Sequence, residues 1–163
     1  MSVDNPIPLE ILVGELLTKH EQTLTVAESC TGGLITHLLT NVAGSSGYFI
    51  GGVTAYAYEA KVALLGVEWD TLNRYGAVSE ETARAMARGV RGRLSSTLGL
   101  AVTGIAGPGG GTLDKPVGLT YICLADAAGE TVERHVWTGE RVQIKQASAR
   151  AALELVVNYL QHL

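Results

Sequence analysis

Two short apolar runs, Thr23–Ala27 (T-L-T-V-A) and Leu98–Thr103 (L-G-L-A-V-T), each lead directly into a glycine-rich loop. Runs of that length with β-branched residues and a glycine boundary read as strands rather than helices. Around them the apolar period changes. Pro8–Lys19 reads as a helix with proline near its start, where the missing N–H costs least, and Leu34, Ile35, Leu38 and Leu39 mark a second helix. Phe49–Ala57 reads as a strand, and Glu59–Leu65 and Trp69–Tyr75 as short helices around a break at Gly66. Ser79, followed by Glu80 and Glu81, reads as an N-cap with acidic residues in the first turn of a helix reaching about Leu94. Val117–Ala125 and Thr131–Trp137, joined by D-A-A-G-E, read as a hairpin, and Gln143–Leu160 as a closing amphipathic helix. Helices that alternate with strands early, and a hairpin late, predict a mixed sheet covered by helices on both faces. Ligands of such folds sit beyond the strand ends, where the loops gather.

The 163 residues fit one domain, 1–163, with a substantial core. Charged residues are only 17% of the chain, below the roughly 25% of an average soluble domain, so much surface is expected to be buried, part of it at a subunit contact. No apolar run reaches the length that a bilayer requires, and the start M-S-V-D-N-P-I-P lacks the basic and apolar regions of a signal peptide. A cytoplasmic protein with no membrane contact is expected. Net charge is −4, which argues against a broad nucleic-acid footprint. Arg84, Arg88, Arg91 and Arg93 follow helical spacing and suit a solvated helix face. Cys30 and Cys123 are too few for a zinc cluster and fit a reducing compartment, while the 4 histidines are scattered without ligand spacing. No metal and no cofactor are expected.

Several loops can carry chemistry. In Ala27–Gly33 (A-E-S-C-T-G-G) a strand passes through hydroxyls and glycines into a helix, an arrangement that can hold an anion on backbone N–H groups, Ser29 and Thr31. The same residues equally suit an ordinary cap and tight turn. The loop is neither a Walker loop nor G-x-G-x-x-G, which removes most support for nucleoside triphosphate hydrolysis. Thr103–Pro116 is rich in glycine, which permits close backbone approach and N–H groups aimed at an oxyanion, or simply a flexible crossover. Gly44–Lys61 sets serines in a glycine-flanked turn, Tyr56 and Tyr58 on one strand face, and Lys61 a turn further on. A neutral lysine can take a serine's proton. The residues alone leave Ser45, Ser46, Tyr56 and Tyr58 interchangeable. Arg141 and Lys145 share a helix face by i, i+4 spacing, to meet a phosphate or carboxylate, or to pair with Glu140 or Glu154.

Together these stretches resemble the CinA C-terminal domain family, whose enzymatically characterised members are nicotinamide-nucleotide amidases. The matching words are A-E-S-C-T-G-G (27–33), A-G-S-S (43–46), E-A-K (59–61), L-L-G-V (64–67) and G-A-V-S-E-E (76–81). T-G-I-A-G-P-G-G-G (103–111) and K-P-V-G (115–118) complete a collinear set over nearly the whole chain after residue 20. The resemblance implies a three-layer α/β/α sandwich in its stand-alone form. It also implies hydrolysis of the carboxamide of nicotinamide mononucleotide to nicotinic acid mononucleotide and ammonia. Carried over, the nucleophile is Ser46, the second serine of A-G-S-S, with Tyr56 and Lys61 as its partners. Thr103 and Arg141 match substrate-binding positions, the latter through G-E-R where the family usually has G-D-R. Backbone N–H groups of the Ser46 turn or of 104–111 would hold the oxyanion, with Ser45 and Ser29 the next candidates for nucleophile. The phosphate would lie against Ser29, Thr31 and Gly32 or against Arg141, with Gly104 beside the substrate. Where the family commonly reads V-T-Y-S-N-E-A-K this chain reads V-T-A-Y-A-Y-E-A-K, so Tyr58 replaces a small polar residue. A homo-oligomer, a dimer first, is expected. The alternative is a non-catalytic nucleotide-binding or competence/damage-inducible interaction module.

Overall fold

The computed structural model describes residues 7–163. Of the stretch considered above for a signal peptide, residues 1–6 lie outside the described residues. The elements follow in the order α1 (Leu9–Lys19), β1 (Leu24–Glu28), α2 (Leu34–Thr40), β2 (Phe49–Thr54), α3 (Tyr58–Leu65) and α4 (Trp69–Tyr75). They continue with α5 (Glu80–Leu94), β3 (Leu98–Gly104), β4 (Leu119–Ala125), β5 (Glu130–Val136) and α6 (Arg141–Gln161). Among the described residues no helix is long and apolar enough to cross a membrane.

The five strands form one mixed sheet in the order β2-β1-β3-β4-β5. β1 runs parallel to β2 and to β3, while β3–β4 and β4–β5 are antiparallel. Alternating residues of the central strands serve two cores. Leu24, Val26, Leu98, Leu100, Val102 and Ile122 pack with α1, α2 and α6, through Val13, Leu17, Ile35, Leu39, Ile144 and Val156. On the other face the sheet offers the small residues Ala27, Ala101 and Cys123 to Ala83, Met86, Ala87 and Val90 of α5, which can therefore lie close to it. This is the α/β/α sandwich expected from the element pattern.

Local chemistry explains where elements start and stop. Ser79 caps α5 as expected, its hydroxyl accepting the Thr82 N–H at 3.2 Å. α6 begins at Arg141, earlier than the apolar pattern indicates, because Glu140 and Gln143 form a reciprocal capping box. The hairpin turn is tied by Asp126, whose Oδ1 accepts the N–H groups of Ala128 and Gly129 at 2.7 and 2.8 Å. β2 ends at Thr54 rather than Ala57. Ala55 makes one last bond to the Glu28 carbonyl, and the chain then turns into α3 at Tyr58. Tyr56 and Tyr58 therefore do not share a strand face. The first lies in the turn and the second opens a helix.

Candidate functional site

Because β1, β2 and β3 are parallel, the segments that follow them gather at one edge of the sheet. Glu28 pairs with Thr54 on one side and with Val102 on the other, so Ser29, Ala55–Tyr56 and Thr103–Gly104 emerge side by side. There they line a cleft of about 270 Å³ with Lys61, Ala77, Val78, the 105–110 loop and Arg141. Gly104 stands where strands and turn converge, and a Cβ there would lie 2.8 Å from both the Leu119 carbonyl oxygen and Thr120 Oγ1. Only glycine fits at that position.

Lys61 is the centre of the site. It projects inward from the first turns of α3 and is fully buried. Its Nζ donates to Ser29 Oγ at 3.0 Å, to the Ala55 carbonyl at 2.8 Å and to the Tyr56 carbonyl at 3.0 Å. Burial lowers its pKa from 10.5 to about 8. An ammonium has three protons for these three acceptors, whereas a neutral amine has two protons and one lone pair. With the carbonyls taking both protons, the lone pair is left facing the Ser29 hydroxyl. Such a neutral lysine can accept that proton, which is the arrangement that turns a serine into a nucleophile.

Cys30 lies beside Ser29 on the same cleft but is held inert. Burial pushes its thiol up to about 11, so little thiolate exists at neutral pH. Among the described residues, the N–H groups of Cys30 and Thr31 have no backbone acceptor. Both follow Ser29 directly.

Ser46, expected from the resemblance as the nucleophile, is not part of this cluster. It sits exposed in a 3₁₀ turn at 45–47 that enters β2 from the far end. Phe49, at the start of β2, pairs with Leu24 at the start of β1, whereas Lys61 follows the other end of the strand. A six-residue strand separates them by about 20 Å at its rise of roughly 3.3 Å per residue. Within one chain Lys61 meets Ser29 and cannot meet Ser46. Tyr56 does line the cleft, but it reaches Lys61 through its carbonyl. Its phenol accepts from Arg141 Nη2 at 2.9 Å.

The expected anion site at the start of α2 is also corrected. Glu28 is fully buried, and its carboxylate accepts the N–H groups of Gly33, Ile35 and Thr36 at 3.1, 3.0 and 2.8 Å and the Thr36 hydroxyl at 2.8 Å. The first turn of the helix thus already holds an anion from within the chain. Gly32 closes the turn by donating to the Ser29 carbonyl, and the fully buried Thr31 is outside the cleft lining. Arg141 is different. As the first residue of α6 it reaches back over the cleft, donating to Tyr56 Oη and, at 2.7 Å, to the Gly107 carbonyl. Among the described residues, Lys61 and Arg141 are the ionisable basic groups of the lining, and no carboxylate belongs to it. Thr103 is buried and donates to the Ala77 carbonyl at 2.7 Å. Among the described residues no group of three or more His, Cys, Asp or Glu side chains forms a metal-sized set.

Sequence reasoning missed Glu28 as the cap of α2, although it stands within A-E-S-C-T-G-G. It also missed Ala77 and Val78 as cleft wall, although both stand within G-A-V-S-E-E.

The sequence model of the CinA C-terminal domain matches residues 7–160. A CinA-like protein of Geobacter sulfurreducens is 52% identical over 151 residues, covering 93% of this chain and 36% of its own length. A CinA-like protein of Syntrophomonas wolfei is 46% identical over 159 residues, 98% of this chain and 38% of its own length. The chain thus spans little more than a third of these curated relatives. Among solved structures, a competence-damaged protein (CinA) superfamily protein of Klebsiella pneumoniae superposes with a TM-score of 0.92 at 29% identity, covering 95% of this chain and 97% of that one. A competence/damage inducible protein of Agrobacterium tumefaciens gives 0.86 at 40% identity, covering 99% of both chains.

Proposed function

Since this chain belongs to the CinA C-terminal domain family, we propose that it is an amidase whose nucleophile is Ser29 and whose general base is Lys61. Its proposed substrate is nicotinamide mononucleotide. The observation that carries the reading is the 3.0 Å contact between a buried lysine, its pKa lowered by burial to about 8, and a serine that follows a strand end. Neutral Lys61 takes the Ser29 proton as Oγ attacks the carboxamide carbon, and the N–H of Cys30, the next residue of the cleft lining, receives the developing oxyanion. The Lys61 ammonium then returns the proton to the departing nitrogen, releasing ammonia and leaving an ester on Ser29. Water, deprotonated by the same amine, hydrolyses that ester to the carboxylate. The pyridinium of the substrate withdraws electrons and favours attack.

Cleft charge supports an anionic substrate. In a chain of net charge −4, the lining carries the permanently charged Arg141 beside Lys61 and, among the described residues, no carboxylate. The phosphate is assigned to Arg141, whose planar donor fork suits it, rather than to α2, whose N–H groups are taken by Glu28. Tyr58, the departure from the family pattern, is not among the lining residues and leaves the cleft open.

The test is ammonia release from nicotinamide mononucleotide by wild type, Ser29→Ala and Ser46→Ala. Ser29→Ala is expected to lose about a thousandfold or more of kcat/KM, as loss of a nucleophile does. Ser46→Ala is expected to stay within about threefold of wild type, as suits an exposed serine far from the base. An active Ser29→Ala variant would sink the assignment.

A further inference from the structure

One wall of the cleft, Ala77 and Val78, belongs to the connection between α4 and α5. Side chains from four elements or loops hold this segment. Lys115 Nζ donates to the Tyr75 carbonyl at 2.6 Å. The hydroxyls of Ser79 and Thr82 donate to the Gly76 carbonyl at 3.0 and 2.7 Å. Thr103, at the end of β3, donates to the Ala77 carbonyl at 2.7 Å, and the Ala77 N–H donates to the Tyr58 phenolic oxygen at 3.2 Å. The peptide groups of Ala77 are therefore gripped from two sides, by β3 and by α3.

We propose that Tyr58 is a positioning residue that sets how far the Ala77–Val78 wall stands from the helix bearing Lys61. Tyr58 is the first residue of α3 and Lys61 lies one turn further on. A bond from Tyr58 to Ala77 therefore spans directly from the base's own helix to the opposite wall. The ring is held in turn against Trp69, with centroids 6.4 Å apart and planes tilted by 40°. Gly76 gives the wall its bend at φ 81°, and the Tyr58 oxygen lies 4.0 Å from where its Cβ would stand. The bond is open to solvent, so water can replace it without unfolding the core. What is lost is the spacing. A substrate ring lying between the wall and Ser29 would then be held less closely, while the Ser29–Lys61 contact stays intact.

The effect on substrate rests on the amidase reading, but the clip itself does not, and one variant tests both. Tyr58→Phe keeps the ring on Trp69 and removes the acceptor. By amide hydrogen exchange, Ala77 should exchange faster than in wild type while the amides of β1 and β3 keep their protection. KM for nicotinamide mononucleotide should rise about 2- to 10-fold, the worth of one ordinary hydrogen bond, with kcat within about twofold. Unchanged exchange at Ala77 overturns the clip, and so does a general loss of protection in β1 and β3, which would make Tyr58 a residue of the fold alone. A fall in kcat at constant KM overturns the positioning role. If wild type releases no ammonia, the amidase reading fails while the Ala77 exchange still decides whether Tyr58 holds the wall.

Discussion

Lys61 offers the sharpest quantitative test, because its position fixes both a rate profile and a stability profile. Burial brings its pKa from 10.5 to about 8. At pH 7 a lysine of pKa 8 is neutral in about one molecule in eleven, against about one in three thousand at pKa 10.5. Burial therefore raises the population of competent base by a factor of about 300 at that pH. If neutral Lys61 is the base, kcat/KM for ammonia release should climb with a slope approaching one below its pKa, bend near pH 8 and level off by about pH 9. Initial rates should be taken above about pH 6.5, where the substrate phosphate has lost its second proton. A flat profile, or one that rises with no bend until beyond pH 10, would refute the argument. Lys61→Arg keeps a cation that cannot give up its proton, so it must be inactive. Turnover by that variant would also refute it.

The same shift sets a sign for stability. Below about pH 8 the folded and unfolded chains both hold the Lys61 proton, and the cost of burying the charge is constant. Between about 8 and 10.5 the unfolded chain keeps a proton that the folded chain has released. The stability of wild type relative to Lys61→Met should therefore rise with pH across that window and hold steady below it. Urea midpoints at pH 7, 8, 9 and 10 measure this without any substrate. A relative stability that falls with rising pH would contradict the burial argument.

Arg141→Ala should raise KM for nicotinamide mononucleotide about 10- to 100-fold, the worth of charged hydrogen bonds, and leave the phosphate-free nicotinamide riboside nearly unaffected. Arg141→Lys should recover little, since a single ammonium lacks the planar fork; equal losses on both substrates would remove the phosphate from Arg141. Glu28→Leu strips the acceptor from the Gly33, Ile35 and Thr36 N–H groups. It should cost about 3 kcal/mol or more in urea denaturation, with Glu28→Gln losing less because one carbonyl oxygen remains to accept.

Much of the fold was legible because its elements obey local rules. Ser79 announces α5, the glycines mark where β1 and β3 end, and D-A-A-G-E closes the hairpin. The errors fall at two boundaries, one set by bonds to a distant residue and one by a local cap. β2 loses Ala55–Ala57 because the carbonyls of Ala55 and Tyr56 are turned toward Lys61. α6 gains Arg141 because its capping box starts the helix early, and that shift places the guanidinium over the cleft.

The residue types of the cleft were legible, whereas the contact of Lys61 with Ser29 rather than with Ser46 was not. Ser46 lies nearer to Lys61 along the chain than Ser29 does, and in a hairpin that closeness would have counted. In a parallel pair it works the other way. A residue before β2 lies at the opposite end of the sheet from a residue after it, whereas residues that follow two adjacent parallel strands meet at the same edge. Ser29 follows β1 and Lys61 follows β2, and the strands pair Glu28 with Thr54. Their separation of 32 positions is the length of one crossover through α2 and back along β2. A mixed sheet was expected without saying which strands run parallel, so the sequence alone did not separate Ser29 from Ser46 as the partner of Lys61. What the sequence could not supply is the state of the lysine. Only burial of Nζ lowers the pKa of a common surface residue to about 8, toward the neutral form that the proposed base requires.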